Sequence, residues 1–360
     1  MKKVTVPFFI SHQGCFHTCV FCDQRTISNS AGDIPSADQI LEKISAWKKT
    51  SGDRPLEVAY FGGSFTSLPE VVKENLLQPL QGLLTTGVIR SVRVSTRPDC
   101  IDHATVSRLA HLGVTTIELG VQSMDDGVLE CAERGHTAAD SSAAIRCIKD
   151  GGLCAGAQLM PGLPGDTPFK SMYSLRQVIA AGADFLRFYP VVVLRGTELA
   201  RRFQAAEYVP LNVGDGVQLC KVLLHESLLA AVPVIRIGLQ ADHGLNTSTI
   251  LGGCWHAALG SLVRSELYYD LLCGLLKDVP HEMPCMIRCH PSRISDVTGQ
   301  GRINLQRLGS RAESVQVKAD ETLKKEELAV ENLHYIIKGN IITDLQYTIE
   351  EESDTCVKNL

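Results

Sequence analysis

The amino-acid sequence predicts a parallel α/β barrel, partial rather than fully closed, with a small α+β appendage. Three observations carry this. From residue 4 to about 240, short apolar runs alternate with amphipathic stretches, the pattern of βα units and a parallel sheet. Six such repeats in one run favour a closed or partial barrel over a doubly wound sheet. The unusual residues (the cysteine-rich loop after residue 14, Gly62-Gly63-Ser64, Arg97-Pro98-Asp99, Gln122-Ser123 and residues 161–166) all fall at the C-terminal ends of successive strands. In parallel barrels that rim is where active sites are built.

The elements follow in order. The first strand is the apolar run at residues 6–10, ending near Ser11, with Gly14 opening a loop. Residues 39–51 read as a helix because Ile40, Leu41, Ile44 and Trp47 share one face. Residues 56–61 are the second strand, and residues 69–84 the next helix. Residues 91–96 make the third strand, 102–112 a helix and 116–121 the fourth strand. Helix 138–151, strand 155–160, helix 169–181 and strand 185–191 complete six repeats, and residues 234–240 read as one more strand. Residues 251–276 read as mostly helical and close the barrel. Two prolines within residues 280–284 mark a boundary. The expected domains are therefore a barrel at 1–279, an appendage at 280–352 and a disordered tail at 353–360.

At 360 residues, one large and one small domain are the expectation. A hydrophobic content of 44% with 21% charged residues is that of a soluble globular protein with a sizeable core. The net charge of −5 gives no global push toward nucleic acid or anionic lipid. Thirteen cysteines, scattered and without a signal peptide before them, point to a reducing compartment and a cytoplasmic address. No apolar run reaches the roughly 18 residues of a membrane span.

The stretch Cys15-Phe16-His17-Thr18-Cys19-Val20-Phe21-Cys22 concentrates the chemistry. A loop at a strand end can turn three sulfurs toward one centre, and thiolates select soft iron or zinc. A structural zinc takes four protein ligands, and so does an ordinary iron–sulfur cluster. The next cysteine is Cys100, so the local set stops at three. Three thiolates on a four-iron cluster leave one iron open to a substrate or cofactor, and the alternatives are a zinc knuckle or chance clustering of cysteines.

Spacing C-x3-C-x2-C with Phe21 before the last cysteine resembles the signature of the radical S-adenosylmethionine (SAM) enzymes. The resemblance implies a (β/α)6-type radical SAM barrel with Cys15, Cys19 and Cys22 holding a [4Fe-4S] cluster. It also implies SAM bound at the open iron and cleaved to a 5′-deoxyadenosyl radical, with an external one-electron donor. Gly62-Gly63-Ser64 resembles the family's Gly-Gly-Glu-type element, whose strand-end backbone binds the SAM amino group, with Ser64 standing where many members carry Glu. Backbone free of a Cβ suits close approach to a ligand, although Gly-Gly after a strand is also an ordinary turn. The same resemblance places Gln122 near the SAM ribose and carboxylate, and residues 161–166, including Gly162, as a backbone wall for adenine.

Arg97 offers a planar fork to a carboxylate or phosphate, against a salt bridge to Asp99. Gln158, apolar-flanked within a strand, points inward and needs partners that an adenine or ribose could provide. Arg187 and Tyr189 alternate with apolar residues, so they share one face of the sixth strand. A lumenal Arg needs an anion, which makes the pair catalytic or substrate-contact candidates, against the alternative that both face the helices.

The segments Phe-Gly-Gly-Ser-Phe-Thr, Ser-Thr-Arg-Pro-Asp, Glu-Leu-Gly-Val-Gln-Ser and Leu-Met-Pro-Gly-Leu-Pro-Gly-Asp-Thr together resemble the Elongator catalytic-subunit family, over roughly residues 5–240. That family acts on the wobble uridine of transfer RNA, so the resemblance implies a tRNA partner. Two departures stand out. The Elongator subunit spaces its first two cysteines further apart, and the chain after Gln240 is too short for its acetyltransferase domain. The resemblance is thus to short, stand-alone bacterial relatives. The alternatives are a small-molecule oxidoreductase like oxygen-independent coproporphyrinogen III oxidase, or a non-enzymatic iron–sulfur RNA-binding or sensor protein.

In the appendage, strand 285–290, a short helix, Gly299-Gln300-Gly301-Arg302, a helix to Leu308 and strand 314–318 resemble a degenerate KH core. Its glycine loop, Gly299 and Gly301 with Arg302 and Arg307, would contact a nucleic-acid backbone. Arg288, Arg293, Arg302, Arg307 and Arg311 face a single acid, Asp296, within that stretch, as a phosphate-binding patch requires. The alternative is a small cap with solvated arginines.

Overall fold

The structure, a computed structural model, describes residues 3–29, 33–240, 244–277, 279, 284–309, 315–332, 334 and 336–349. Strand β1 (Val4–Phe9) is followed by helices α1 (Gln24–Ser28) and α2 (Ala37–Ser51), then β2 (Leu56–Phe61), α3 (Glu70–Leu77), α4 (Gln81–Thr85) and β3 (Ile89–Thr96). Next come α5 (His103–His111), β4 (Val114–Gln122), α6 (Asp126–Cys131), α7 (Ala138–Asp150), β5 (Cys154–Leu159), α8 (Pro168–Ala180) and β6 (Phe185–Phe188). The barrel ends with β7 (Val192–Leu194), α9 (Glu198–Gln204), α10 (Val213–Leu229), β8 (Val234–Ile237), β9 (Ile250–Gly253) and α11 (Leu259–Leu275).

Strands β1, β2, β3, β4, β5, β6 and β8 form one seven-stranded sheet in that order, parallel throughout, so the partial barrel read from the repeats is what the chain builds. Its helix-facing side is apolar: Val58, Tyr60, Val92, Val94, Ile117, Leu119, Ala155, Leu186 and Phe188 are buried to within 1% exposure. The helices start where sequence puts a cap. Ser36 and Gln39 close a capping box on α2, Thr137 and Asp140 close another on α7, and Thr167 caps α8 just before Pro168.

Three element predictions need correction. The helix expected over residues 69–84 is split into α3 and α4 by a 3-10 turn at Gln78–Leu80, because Pro79 lacks the N–H to continue the ladder. The strand expected over 185–191 stops at Phe188, and beyond Pro190 the chain starts β7, which pairs antiparallel with β9 as a separate ribbon. The segment 251–276 therefore opens as a strand, and only its later part is the helix α11.

The appendage contains β10 (Cys285–Cys289), α12 (Ile294–Thr298), α13 (Ile303–Arg307), β11 (Val315–Ala319), β12 (Glu327–Glu331) and β13 (Ile336–Asn340). Its four-stranded sheet runs β11-β10-β12-β13, with β10 and β11 parallel and the other pairs antiparallel. Ile287, Cys289, Leu328 and Val330 pack there against Tyr268, Leu271, Leu272 and Leu276 at the end of α11. Tyr347 returns to the barrel: its hydroxyl donates to Asp270 at 2.6 Å, and Asp270 also pairs with Lys221 of α10 at 2.7 Å. Most of the expected boundary at 280–284, Arg311 and the tail at 353–360 lie outside the described residues.

Candidate active site

The cysteine loop starts where β1 ends and is fastened to the end of β2. Ser64 N–H donates to Gln13 O at 2.8 Å. Gln24 Oε1 accepts from His12 N–H and from Gly63 N–H, each at 2.6 Å. The two backbones approach so closely that only glycine fits: a Cβ on Gly63 would lie 2.2 Å from Gln13 O, and one on Gly14 would lie 2.3 Å from Ser64 O. On its other side the loop takes Val20 N–H to Ala132 O at 3.2 Å, and Val20 O accepts from Leu199 N–H at 2.8 Å. Cys19, Val20 and Phe21 pack with Val128, Ala132, Leu163 and Val191 in a small apolar cluster. The loop thus sits at the C-terminal rim, beside the segments that follow β2, β4 and β5.

All described cysteines are free thiols; Cys19 is buried, while Cys15 and Cys22 are partly exposed. Burial raises the Cys15 thiol pKa, and the neighbouring Cys19 adds to it. Cys22 is pushed up to about 12, first by burial and then by Cys19 and Cys15. Arg134 and Arg97 act in the opposite sense on Cys15. Three mutually repelling sulfurs, offset by two guanidinium groups, suit a cationic metal core. Among the described residues no three His, Cys, Asp or Glu side chains close on one ion position. A four-iron cluster makes a different demand, since each thiolate binds a separate iron. Three thiols with Arg97 and Arg134 beside them are a donor set that could hold such a cluster.

Sequence reasoning missed Arg134. It lies between α6 and α7, is 6% exposed, and its guanidinium donates to Cys19 Sγ at 3.0 Å and to Gly120 O of β4 at 2.6 Å. Its carbonyl accepts from Arg97 at 2.5 Å. The only sequence signal was the run Arg134-Gly135-His136 on the rim side of a βα unit, where Gly135 packs on the His17 ring. Cys100, set outside the local group by sequence distance, is brought near it by the fold: it accepts from Ser67 Oγ at 2.9 Å and acts electrostatically on Cys15.

The predicted residues divide. Gly62 lies against Gln24 and Ser11, next to Gly63 in the loop's seat. Ser64 is fully buried, its hydroxyl sharing a network with Ser67 and Thr96 at 3.1 and 3.0 Å. Arg97 makes the salt bridge weighed against its ligand role, donating to both Asp99 oxygens at 3.0 and 2.9 Å, and its guanidinium lies 5.0 Å from the exposed Phe16 ring. Gln122 sits at a bulge of β4 with φ of 71°, and accepts from Gln158 Nε2 at 3.1 Å. Gly162 N–H is held by Asp166 at 2.8 Å, and its carbonyl by Tyr208 at 2.5 Å. Burial raises Asp166 to about 6, partly countered by Ser171 and Gly162.

Arg187 faces the lumen, and part of its guanidinium already meets an anion of the protein. Glu118 of β4 pairs with it at 2.5 Å and also with Arg93 of β3. Arg93 in turn meets Glu57 of β2 at 2.8 Å, and Glu57 accepts from Ser91 at 3.0 Å. A chain of alternating charges thus crosses four strands. The signal was present in the sequence, charged residues inside the apolar runs of β2, β3, β4 and β6, and only Arg187 was read from it. Tyr189 is buried beside Arg187, 5.1 Å from its guanidinium carbon.

The count of acids facing the arginines of the appendage needs correction. Arg307 pairs with Glu266 of α11 at 2.5 Å and covers the Tyr269 ring at 3.6 Å. Arg288 pairs with Glu331 at 2.5 Å and Arg293 with Asp296 at 3.0 Å. Counting acids only within the stretch missed those that the fold brings from α11 and β12. Arg302 is exposed and makes no ion pair among the described residues. Gly299 packs on Ile303 and Asn304, and the order strand, helix, glycine turn, helix, strand is as read, though each helix has only 5 residues.

No helix among the described residues is long and apolar enough to cross a membrane. The chain matches the model of the Radical SAM superfamily over residues 9–172 and that of the Radical_SAM C-terminal domain over residues 183–269. A tRNA uridine(34) acetyltransferase of Methanocaldococcus jannaschii is 32% identical over 173 residues, covering 47% of this chain and 31% of that protein. Elongator complex protein 3 of Homo sapiens is 28% identical over 232 residues, covering 59% of this chain and 42% of that protein. The chain therefore spans less than half the length of these two relatives. The solved structure of the archaeal Methanocaldococcus infernus Elp3 with an N-terminal deletion shares the fold, with a TM-score of 0.60 at 22% identity over 74% of this chain and 63% of that one. On the two family matches, laid across a half-barrel whose rim carries three free thiols, the chain belongs to the radical SAM superfamily, among proteins similar to the radical SAM region of the Elongator catalytic subunit.

Proposed function

We propose that this chain is a radical SAM enzyme that modifies RNA, with transfer RNA as its substrate class. The observation that carries the reading is the placement of Cys15, Cys19 and Cys22 on a rim loop wedged against Gly63, with Arg134 donating to the middle sulfur. Cys15, Cys19 and Cys22 would hold a [4Fe-4S] cluster, which would supply one-electron reduction of SAM there.

The protein's own residues provide the setting. The three thiols would ligate the cluster, and Arg134 and Arg97 would offset the thiolate charge. The strand-end backbone at Gly62, Gly63 and Ser64 would face the SAM amino group, with Gln122 and Gln158 near its polar atoms and the wall around Gly162 beside adenine. Asp166 and Tyr208 hold that wall from both sides of the Gly162 peptide. Arg187 and Tyr189 line the lumen below. The names of two relatives, tRNA uridine(34) acetyltransferase and Elongator complex protein 3, support a tRNA substrate. The acetyl transfer that the first of those names describes is not carried over.

Anaerobically reconstituted protein should release 5′-deoxyadenosine from SAM under strong reductant, and Cys19→Ala should abolish it. Persistence of that product in the variant refutes the ligand assignment. Loss of one modified nucleoside from the transfer RNA of cells lacking the gene tests the substrate class, and an unchanged nucleoside profile refutes it.

A further inference from the structure

We infer that Arg187 and Arg236 form a phosphate subsite in the barrel lumen, so that the substrate is held there through the phosphate ester of a nucleotide. The inference rests on the RNA reading above and gives that substrate a point of attachment.

Strands β6 and β8 are neighbours, and their register sets Arg187 against Arg236. Leu186 and Phe188, on either side of Arg187, are fully buried against the helices, so the two arginines share the opposite, lumenal face. Like charges directly across a strand pair repel each other. One carboxylate stands nearby, and it is already divided: Glu118 serves both Arg187 and Arg93. Arg236 makes no ion pair among the described residues, and its Nε donates only to Gly238 O, two residues along its own strand end, at 3.2 Å. Arg187 Nε is buried without a hydrogen-bond partner, although the guanidinium also faces the Tyr189 hydroxyl. Across this face, among the described residues, Lys3, Arg93, Arg187 and Arg236 meet only Glu57 and Glu118.

That imbalance is what an incoming anion would relieve. A carboxylate is filled by one planar fork, whereas a phosphate ester has the oxygens to accept from two. The surroundings agree with a nucleotide. The Phe61 ring lies 5.4 Å from the Arg187 guanidinium carbon, and Gln158 stands in register with Arg187. An aromatic face and an amide beside a cation are the groups that stack on and hydrogen-bond an unpaired base. Both arginines also act on the buried Tyr189 hydroxyl, which places Arg236 in the same corner as Arg187.

The test is equilibrium binding of uridine 5′-monophosphate and of uridine to the full, reconstituted chain, with and without SAM. The monophosphate should bind at least about tenfold tighter, as loss of charge-assisted hydrogen bonds implies. Arg236→Gln should bring the two ligands within about twofold of each other, and Arg236→Lys should restore part of the gap. Inorganic phosphate should compete, and acetate should not. Equal binding of the two ligands, no binding of the monophosphate, or an unchanged ratio in Arg236→Gln overturns the subsite. So does competition by acetate as strong as by phosphate, or displacement of the monophosphate by SAM, which would put the anion in the cofactor's own place. None of these outcomes bears on 5′-deoxyadenosine release or on the transfer RNA nucleoside profile, so the two readings fail separately.

Discussion

The barrel and the appendage each carry a set of arginines, and burial makes them different objects. In the barrel, Arg93 and Arg187 are each 16% exposed at the side chain and share a carboxylate that is 5% exposed. In the appendage, Arg288 and Arg307 are each 35% exposed and meet acids at the surface. A desolvated charge must be answered inside the fold, and removing its partner leaves an uncompensated ion. A charge at the surface is screened by water and salt whether or not its partner stays. The same residue type is therefore a constraint on the fold in one region and a detail in the other.

Glu118→Gln should break this comparison most sharply. With its carboxylate gone, two buried guanidinium groups lose their shared partner, and the expected cost is about 3–5 kcal/mol in denaturant unfolding. A cost below about 1 kcal/mol would mean that the lumen is as well solvated as the appendage surface.

His136 sharpens the same point through pH. Burial, then Arg134 and Arg97, lowers its pKa to about 3, and its Nε2 bonds Val121 O at 3.2 Å. A depressed pKa gives stability that is complete above the unfolded value near 6.5 and is lost as pH falls toward 3. Between pH 7 and about 4.5 the wild type should lose about 2–3 kcal/mol more than His136→Gln, which keeps a donor for Val121 and takes up no proton. Parallel pH profiles for the two proteins would remove the buried neutral histidine from the account.

The smallest effect belongs to the appendage. Arg307→Ala should cost less than about 1 kcal/mol and leave salt-dependent retention of transfer RNA unchanged, since its charge is already matched by Glu266. A clear loss of retention would restore the phosphate patch that the ion pairs argue against.

The sequence made the strands legible because each is a short apolar run closed by glycine, proline or a polar turn, and that pattern needs no tertiary information. It also placed the cysteines, since three of them fall within one loop. What it hid are meetings across the chain. Glu57, Arg93 and Glu118 lie on three strands, and their pairing depends on a register that local pattern does not encode. Glu266 reaches Arg307 from 41 residues away, so a local count of charges missed it. Pro79 and Pro190 were visible, yet the breaks they impose were read through as continuous elements.

Arg134 ties these threads into a single knot. One guanidinium answers to a sulfur of the cysteine loop and to a carbonyl of the fourth strand, while the same residue's own carbonyl restrains Arg97. Arg134 thus links the Cys19 sulfur to the backbone of β4, two residues before the bulge at Gln122. Loading of the thiols and slowing of amide exchange around Gly120 should rise and fall together, giving the rim a built-in reporter of its own occupancy.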